Sequence, residues 1–414
     1  MTRANVDFSA VKERLTKVRY LLVCPIGWAR DEQGDIWTDR LWAKDLLLHF
    51  EYLTEVTVLA PEKKLFRGQS TDDWIKLDPN PAGLKFRNLP IGDSIGGALL
   101  RLPAQLFKSA SAILQSDVVH SGAAGWPIPP GLAVNPLAVL LGRPLVLVFE
   151  SAFWRNYSQR KSLKARLRHW FTEGFAKWSC RNSRLAIFTH QGYLKELLPA
   201  PKARNHVLVS PASWIDEATT LNAQEAIESW HKKPTHIQLL VAARLVKEKG
   251  IASVMAVIEE AEMRKIPLRI DFIGEGPMKS QLILLSERVR HATVRVLDPI
   301  PYGEPFFSLI RNYHALLVPT LSDEQPRVIF DSFSQAVPVI ASSTAGNRDL
   351  ISDGITGILY NHLSHKSLLE AVRALTPQSL EKMGLAGLNQ AEQRTHQAMH
   401  HARAIKLCEV LLDT

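Results

Sequence analysis

Cysteine is scarce in this sequence of 414 residues, where Cys24, Cys180 and Cys408 lie far apart along the chain. An odd number of cysteines at such spacing argues against a disulfide framework and against a cysteine metal site. It suits a reducing compartment, so we expect a cytoplasmic protein. The first residues hold no apolar stretch typical of a signal peptide, and no run reaches the roughly 20 apolar residues that a membrane span needs.

Acidic residues are in the minority, since 50 lysines and arginines face 41 aspartates and glutamates, a formal net charge of +9. A positive surface attracts phosphates, nucleic acid or anionic lipid, and charge alone does not choose among them. No signature of a nucleic-acid-binding module accompanies the charge, so we expect no nucleic-acid partner.

The chain is too long for one ordinary core and fits two domains of about 150–200 residues. Two segments, 20–27 and 237–244, each begin a series of short apolar runs that alternate with helical patterns. Two such series predict an α/β protein with two Rossmann-like, doubly wound domains. We expect the first domain in residues 1–215, the second in 216–385, and a helical tail in 386–414. The later runs of the two series lie at 56–59, 118–120, 144–148, 186–188, 270–273, 294–297, 315–318 and 338–341.

The turn 244–250, directly after a predicted strand, carries the cations Arg244 and Lys249 beside the expected start of a helix. Side-chain charge and helix dipole add at such a place, which favours binding of a diphosphate. A solvated charged turn is the alternative, because surface charges are common. Gly274 lies in the turn 273–277 at the end of another strand, where a residue without Cβ lets the backbone approach a ligand closely.

The stretch 319–331 runs from a strand end through a polar loop into a helix. The helix is expected to begin at Pro326, Arg327 and Val328, whose region would present free backbone N–H groups to an anion. Asp323 lies in the loop and Asp331 within the helix, and carboxylates bind sugar hydroxyls well. One acid could hold a sugar and the other a ribose. Equally, Asp323 could cap the helix and Asp331 could be a surface acid.

Together with the segments 336–342 and 346–359, these turns resemble the donor domain of glycosyltransferase family 4. The motifs follow the family order: a basic turn ending in Lys-Gly, a Gly-x-Gly-Pro turn, an acidic pair with seven residues between, an x-x-Pro-Val-Ile-Ala-Ser strand and an Asp-Gly-x-x-Gly turn. The resemblance implies the GT-B fold, two Rossmann-like domains facing across a cleft, with the C-terminal helix crossing back to the first domain. It also implies a retaining hexosyltransferase that uses a nucleotide-sugar and needs neither metal nor cofactor.

The resemblance assigns roles to individual residues. Arg244 and Lys249 would bind the donor diphosphate, Asp323 would contact the transferred sugar, and Asp331 would contact the ribose. The implied catalytic residues are His120, Asp323, Arg244 and Lys249, and the implied donor-binding residues are Gly27, Arg244, Lys249, Gly274, Pro326, Arg327, Val328 and Asp331. Two departures stand out: aspartates replace the usual glutamate pair, and Glu324 replaces the glycine after the first acid. These changes could alter donor choice or weaken the enzyme.

The N-terminal half resembles the family more loosely. Gly27 occupies the position of a glycine-rich loop near the donor phosphates. His120 ends a strand that resembles the family's Asp-Val-Val-His, which implies a place near the reacting centre; a buried structural histidine is the alternative. Glu150 stands where many members carry a second histidine.

The segment 28–42 is rich in tryptophan, arginine and aspartate. Aromatic faces beside acids commonly bind sugar rings, so we expect acceptor contacts from Trp28, Trp37 and Asp39, together with Glu150. A long loop packed by its own aromatic residues would have the same composition.

Residues 154–178 combine apolar residues at helical spacing with a crowd of lysines and arginines. A basic amphipathic helix with tryptophans can lie on an anionic membrane, which fits the lipid-linked acceptors of many family 4 enzymes. Alternatively, the apolar stripe packs on the sheet and the charges are solvated.

The best interpretation is therefore a transferase acting on a lipid-linked or other saccharide acceptor, in the cytoplasm or peripheral on the inner face of its membrane. Two other functions remain open, namely a nucleotide-sugar epimerase and a catalytically weakened binding protein.

Overall fold

The computed structural model describes residues 7–63, 74–125, 128–152, 154–155, 162–202, 205–322 and 324–412. The chain divides into two compact units. The first comprises Met1–Thr189, Tyr193–Ser210 and Met399–Thr414, and the second comprises His190–Gly192 and Pro211–Ala398.

A parallel sheet of seven strands forms the centre of the first unit. Its strands are β1 (Arg19–Val23), β4 (Glu55–Ala60), β6 (Leu84–Asn88), β7 (Val118–Gly122), β8 (Leu145–Phe149), β9 (Leu185–Phe188) and β10 (His206–Val209). They lie in the order β10-β9-β8-β7-β1-β4-β6. A small antiparallel sheet adds β2 (Trp28–Arg30), β3 (Ile36–Asp39) and β5 (Trp74–Lys76). The central strands are buried on both faces, because apolar residues follow one another without alternation.

Helices cover the sheet of the first unit. They are α1 (Phe8–Leu15), α2 (Arg40–Leu48), α3 (Ile95–Leu114), α4 (Gly131–Leu140), α5 (Leu163–Asn182) and α6 (Gln191–Leu197). The last helix, α15 (His396–Leu412), returns to this unit from Met399 onward. Ala404, Leu407 and Val410 lie in the same core as Tyr20 and Leu46, which confirms the expected return of the C-terminal helix to the first domain.

The second unit contains a parallel sheet of six strands. The strands are β11 (Leu239–Ala242), β12 (Leu268–Ile273), β13 (Ala292–Leu297), β14 (Ala315–Val318), β15 (Val339–Ser342) and β16 (Gly357–Tyr360). They lie in the order β13-β12-β11-β14-β15-β16. The helices are α7 (Ala223–His231), α8 (Ile251–Met263), α9 (Lys279–Arg288), α10 (Glu304–Arg311), α11 (Val328–Ser334), α12 (Ala345–Leu350), α13 (His365–Arg373) and α14 (Pro377–Glu392). One apolar core lies on each face of this sheet.

Both sheets reverse their strand order at one place, which is the arrangement of a doubly wound fold. The reversal falls between β1 and β7 in the first unit and between β11 and β14 in the second. The expected pair of Rossmann-like domains is therefore confirmed. Ligands of such sheets bind outside the carboxyl ends of the strands at these switch points, so ligands are expected at the loops after β1, β7, β11 and β14.

Candidate functional site

The switch point of the second unit is formed by two loops whose backbones are in direct contact. The loop after β11 holds Arg244 and Lys249, and the loop after β14 begins at Pro319. The backbone N–H of Leu321 donates to the carbonyl of Glu248 over 2.9 Å. Gly250 has a φ of +73°, and a Cβ there would stand 1.8 Å from the carbonyl oxygen of Pro319. Only glycine fits this place, because both its conformation and its contact exclude a side chain.

A third loop, after β12, packs through glycine on the loop after β11 in the same way. A Cβ on Gly274 would stand 2.0 Å from the carbonyl oxygen of Ala243, and one on Gly276 would stand 2.5 Å from that of Leu245. The N–H of Leu245 donates to the carbonyl of Glu275 over 2.8 Å. The segments around Arg244, Gly274 and Pro319 therefore form one continuous backbone surface at the ends of β12, β11 and β14.

The two predicted cations differ in their surroundings. The side chain of Arg244 is exposed. The Nζ of Lys249 lies 3.5 Å from a carboxylate oxygen of Glu324, and both of these side chains are partly buried. Lys249 thus already has an anionic neighbour, at the position where the family pattern has glycine. The predicted catalytic Asp323, one residue earlier, lies outside the described residues.

The region 326–328 leads into α11, which begins at Val328 with Arg327 as its N-cap residue. Among the described residues no side chain caps this helix, and whether Asp323 does so lies outside them. The guanidinium of Arg327 lies 4.4 Å from the ring centre of Trp214, a cation–π contact that fixes the side chain beside the helix start.

Asp331 is buried, so the alternative of a surface acid is wrong. Its carboxylate accepts a hydrogen bond of 2.8 Å from the hydroxyl of Tyr302. Burial, and next the negative charge of Asp331, raise the pKa of Tyr302 far above its ordinary value, so the phenol keeps its proton and remains a donor. Sequence reasoning missed Tyr302, because nothing in the pattern links positions 29 residues apart.

The loop after β15 borders the same region and contributes further polar groups that the sequence prediction did not name. The side-chain amide of Asn347 donates to the carbonyl of Ser342 over 2.7 Å, and the hydroxyl of Ser342 donates to the carbonyl of Thr320. Two buried oxygens, Oγ1 of Thr344 and Oδ1 of Asn347, have no hydrogen-bond partner among the described residues. This strand end therefore keeps unused hydrogen-bonding capacity beside the loop after β14.

His120, on β7 in the first unit, is buried in a polar cluster. Its Nδ1 and the hydroxyl of Tyr20 are 2.9 Å apart, and Arg403 from α15 lies 3.2 Å from the neighbouring His49, measured from Nη1 to Nε2. Burial, then the positive charge of Arg403 and the presence of His49, lower the pKa of His120 well below its ordinary value. The imidazole is therefore neutral, and its hydrogen bond with Tyr20 also fits the structural alternative.

The other predicted residues of the first unit lie in different settings. Trp28 is buried, and its indole N–H donates to the carbonyl of Ala60 over 3.1 Å. The carboxylate of Asp39 accepts from the N–H of Trp42 over 2.8 Å and caps α2. The indole N–H of Trp28 and the carboxylate of Asp39 thus both make hydrogen bonds within the fold. The two residues lie in strands β2 and β3, not in the long loop that was the alternative.

Trp37 and Glu150 are more accessible to a ligand, whereas Gly27 is buried. The indole N–H of Trp37 donates to Asp31 over 2.8 Å, and the ring is only partly buried. Gly27 lies in the loop after β1, where a Cβ would meet the side chain of Lys63. Glu150 is exposed directly after β8.

The basic segment 154–178 coincides with α5 from Leu163 onward, while residues 156–161 lie outside the described part. Trp154 is buried in the core and Phe175 packs against it, but the large apolar residues of the N-terminal half of α5 do not reach the core. Leu163, Leu167, Trp170 and Phe171 are exposed, and the buried residues of the helix are Ala176, Ser179 and Cys180. The alternative in which the apolar stripe packs on the sheet is therefore wrong for the N-terminal half of α5.

No helix in the described part of the chain is both long enough and apolar enough to cross a membrane.

Comparison with known proteins agrees with this architecture. Residues 222–386 match the family model "Glycosyl transferases group 1", which supports a glycosyltransferase group 1 domain in the second unit. Alpha-D-kanosaminyltransferase of Streptomyces kanamyceticus is 25% identical over 256 residues, covering 59% of this chain and 64% of that relative. The aligned region thus spans somewhat less than two thirds of the curated relative's length.

Solved structures of low sequence identity share the whole fold. Sucrose-phosphate synthase from Thermosynechococcus elongatus matches with a TM-score of 0.67 and 14% identity, over 96% of this chain and 100% of that chain. Anabaena HepE in complex with UDP matches with a TM-score of 0.63 and 13% identity, over 96% and 100%. The chain therefore has the GT-B fold of these proteins.

Proposed function

We propose that this protein is a glycosyltransferase of the family 4 type that moves a hexosyl group from a nucleoside diphosphate sugar to an acceptor, with retention of anomeric configuration. The observation that carries the proposal is the switch point between β11 and β14, where the loop that holds Arg244 and Lys249 is joined to the loop that leads into α11. Such a place collects cationic side chains and free N–H groups, which together suit a diphosphate.

The donor would lie along this surface. Arg244 and Lys249 would bind the diphosphate, Gly274 would allow its close approach, and Asp331 would accept a hydrogen bond from the ribose. The backbone N–H groups at the start of α11, around Arg327 and Val328, would add donors. HepE, which shares the fold, is known in complexes with UDP and with UDP-glucose, and this supports a nucleotide-sugar as donor.

In the proposed reaction the bond between the anomeric carbon and the diphosphate oxygen breaks, and the nucleoside diphosphate leaves with the electron pair. The acceptor hydroxyl oxygen forms the new bond on the same face, and its proton goes to the departing diphosphate. Arg244 and Lys249 stabilise the charge that develops on the leaving group, which is the largest effect available to such a site. Neither a metal ion nor a cofactor is required. Asp323 would contact the transferred sugar, and His120 would lie near the reacting centre.

The first unit would bind the acceptor, through Glu150 and the partly exposed Trp37. We further propose that the acceptor is lipid-linked or a glycolipid used in polysaccharide assembly, and that the protein is peripheral on the inner face of the cytoplasmic membrane. The exposed apolar and basic residues of α5 support this membrane contact, since the two kinds of residue suit lipid chains and anionic headgroups.

The test measures release of nucleoside diphosphate from a panel of UDP-, GDP- and ADP-sugars, with and without membrane lipid extract. Lys249→Ala should reduce release from the preferred donor by about 100-fold, because a charge on the leaving group loses its partner. Lys247→Ala removes an exposed cation from the same turn and serves as the matched control, with little expected effect. Release that is unaffected by Lys249→Ala would contradict the proposed site, and an epimerised donor instead of a transfer product would contradict the proposed reaction.

A further inference from the structure

Helix α3 of the first unit exposes large apolar residues along its outer face. Its inner face buries Ala98, Ala112 and Ile113 together with the polar residues Gln105 and Ser109. The exposed residues are Ile95, Leu99, Leu100, Leu106, Phe107 and Leu114. A helix on a water-facing surface normally exposes mostly polar residues on its outer face, so this apolar face is adapted to something other than water.

The exposed face of α3 belongs to a larger surface. Helix α3 packs on α4, and α4 packs on α5, so the three helices form one layer on the same side of the sheet. Leu140, at the end of α4, is also highly exposed, and the exposed residues of α5 continue the pattern. We call this layer the α3–α5 face.

The charges of the α3–α5 face indicate its partner. Helix α3 carries exposed Arg101 and Lys108 and has no acidic residue between Ile95 and Leu114. On α5, the side chains of Lys164 and Arg166 are exposed as well. The only acid of α5 is Glu173, and it is already paired, with its Oε1 3.2 Å from Nη2 of Arg155. The face therefore presents apolar and cationic groups together.

We infer that the α3–α5 face inserts apolar side chains from α3 and α4, as well as from α5, into an anionic lipid bilayer. The inference extends the membrane contact proposed above for α5 and rests on it. A second copy of the chain fits less well, because a two-fold contact would bring these cations against one another. An anionic bilayer offers acyl chains for Leu100 and Phe107 and headgroups for Arg101 and Lys108.

The test is sedimentation of the full-length protein with vesicles of phosphatidylcholine alone or mixed with phosphatidylglycerol, at low salt. The α3 variant is Leu100→Glu with Phe107→Glu. The matched control is Leu363→Glu with Met263→Glu in the second unit, since Leu100 and Leu363 are both 84% exposed and Phe107 and Met263 are both 77% exposed. A second variant, Lys164→Glu with Arg166→Glu, tests α5 alone.

We expect the protein to bind the anionic vesicles at least 10-fold more tightly than the neutral ones. The α3 variant should bind the anionic vesicles at least 10-fold more weakly than the unaltered protein. The control variant should bind them as the unaltered protein does. Binding that is lost in the α5 variant but kept in the α3 variant would overturn the inference and leave the contact through α5 standing. No binding of the unaltered protein would overturn both.

Two further measurements distinguish a bilayer from a second copy of the chain, and membrane binding from catalysis. A dimer that the α3 variant dissociates, seen by sedimentation velocity without lipid, would overturn the inference in favour of a second copy of the chain. Nucleoside diphosphate release from the donor without lipid should be equal in all variants, so a failure of the proposed transferase activity would be recognised independently of vesicle binding.

Discussion

The hydroxyl of Tyr302 donates a hydrogen bond of 2.8 Å to the buried carboxylate of Asp331. Tyr302 lies in the loop after β13, and Asp331 lies on α11, so the bond ties a loop at one edge of the sheet to the helix at the switch point. The carboxylate is thereby oriented before any donor binds, and under the proposed function it would accept a hydrogen bond from a ribose hydroxyl.

Tyr302→Phe removes this donor without changing the size of the ring. We expect nucleoside diphosphate to bind about 10-fold more weakly, because a hydrogen bond to a charged group contributes about 1.5–3 kcal/mol. Isothermal titration calorimetry gives the change in Kd. Tyr313→Phe is the control, since Tyr313 donates to Asp271 within the same unit and should leave the affinity unchanged. Equal affinity of Tyr302→Phe and the unaltered protein would contradict this role.

Under the proposed function, Glu324 would compete with a bound diphosphate for Lys249. Glu324→Gln should therefore strengthen nucleoside diphosphate binding by up to about fivefold, the range that corresponds to a partly exposed ion pair of up to about 1 kcal/mol. The effect should shrink at high salt, because ions screen the pair. Glu304→Gln provides the comparison, as Glu304 pairs with Arg311 in the same unit. Weaker binding by Glu324→Gln would instead mean that the carboxylate contacts the donor.

Gly250 and Gly354 have nearly the same φ, +73° and +74°, but an added Cβ would meet other backbone at Gly250 and nothing within 4 Å among the described residues at Gly354. Gly354→Ala should cost about 1 kcal/mol of stability for the left-handed conformation alone. Gly250→Ala should cost about 2–5 kcal/mol, because its Cβ also meets the carbonyl of Pro319. Thermal unfolding of both variants, with nucleotide binding as a second readout, separates the cost of the left-handed conformation from the cost of the contact with Pro319. Similar melting temperatures would show that the loop after β14 simply moves aside.

His314 should make the second unit less stable in acid. Burial, then the charge of Lys233, lower the pKa of this histidine from 6.5 to about 4, so the unfolded chain binds a proton between these values and the folded chain does not. Stability is complete above pH 6.5 and falls toward pH 4, by at most about 3 kcal/mol.

The contribution of His314 appears when urea unfolding is followed at several pH values. His314→Gln should reduce the slope of the unfolding free energy against pH in this window. The exposed His231→Gln, from the same unit, should leave that slope as it is. An unchanged slope in His314→Gln would assign the acid sensitivity to other groups.

Much of the fold could be predicted from the sequence, because buried parallel strands consist of short runs of apolar residues. Every run that began or continued the two series is a strand, among them β1, β7, β11 and β14. The small antiparallel sheet was not predicted. Its strands β2 and β3 are only three and four residues long, and the segment around Trp37 could equally have been a loop packed by aromatic residues.

The candidate site was predicted in part. The turns with Arg244 and Gly274 follow strands directly, so their place at the sheet edge could be inferred from local pattern. The bond between Tyr302 and Asp331 could not, since it depends on tertiary packing. Nor could the orientation of α5, because helical spacing of apolar residues is the same whether the stripe faces a core or the solvent.

Three glycines in the loops after β11 and β12 limit how the candidate site can change. Gly250, Gly274 and Gly276 hold each loop against a carbonyl of the next, so a substitution in one backbone disturbs the others. New specificity for a donor would then have to arise from side chains that border this backbone, such as Tyr302 or Glu324. A library built to alter donor choice should vary those positions and leave the glycines untouched.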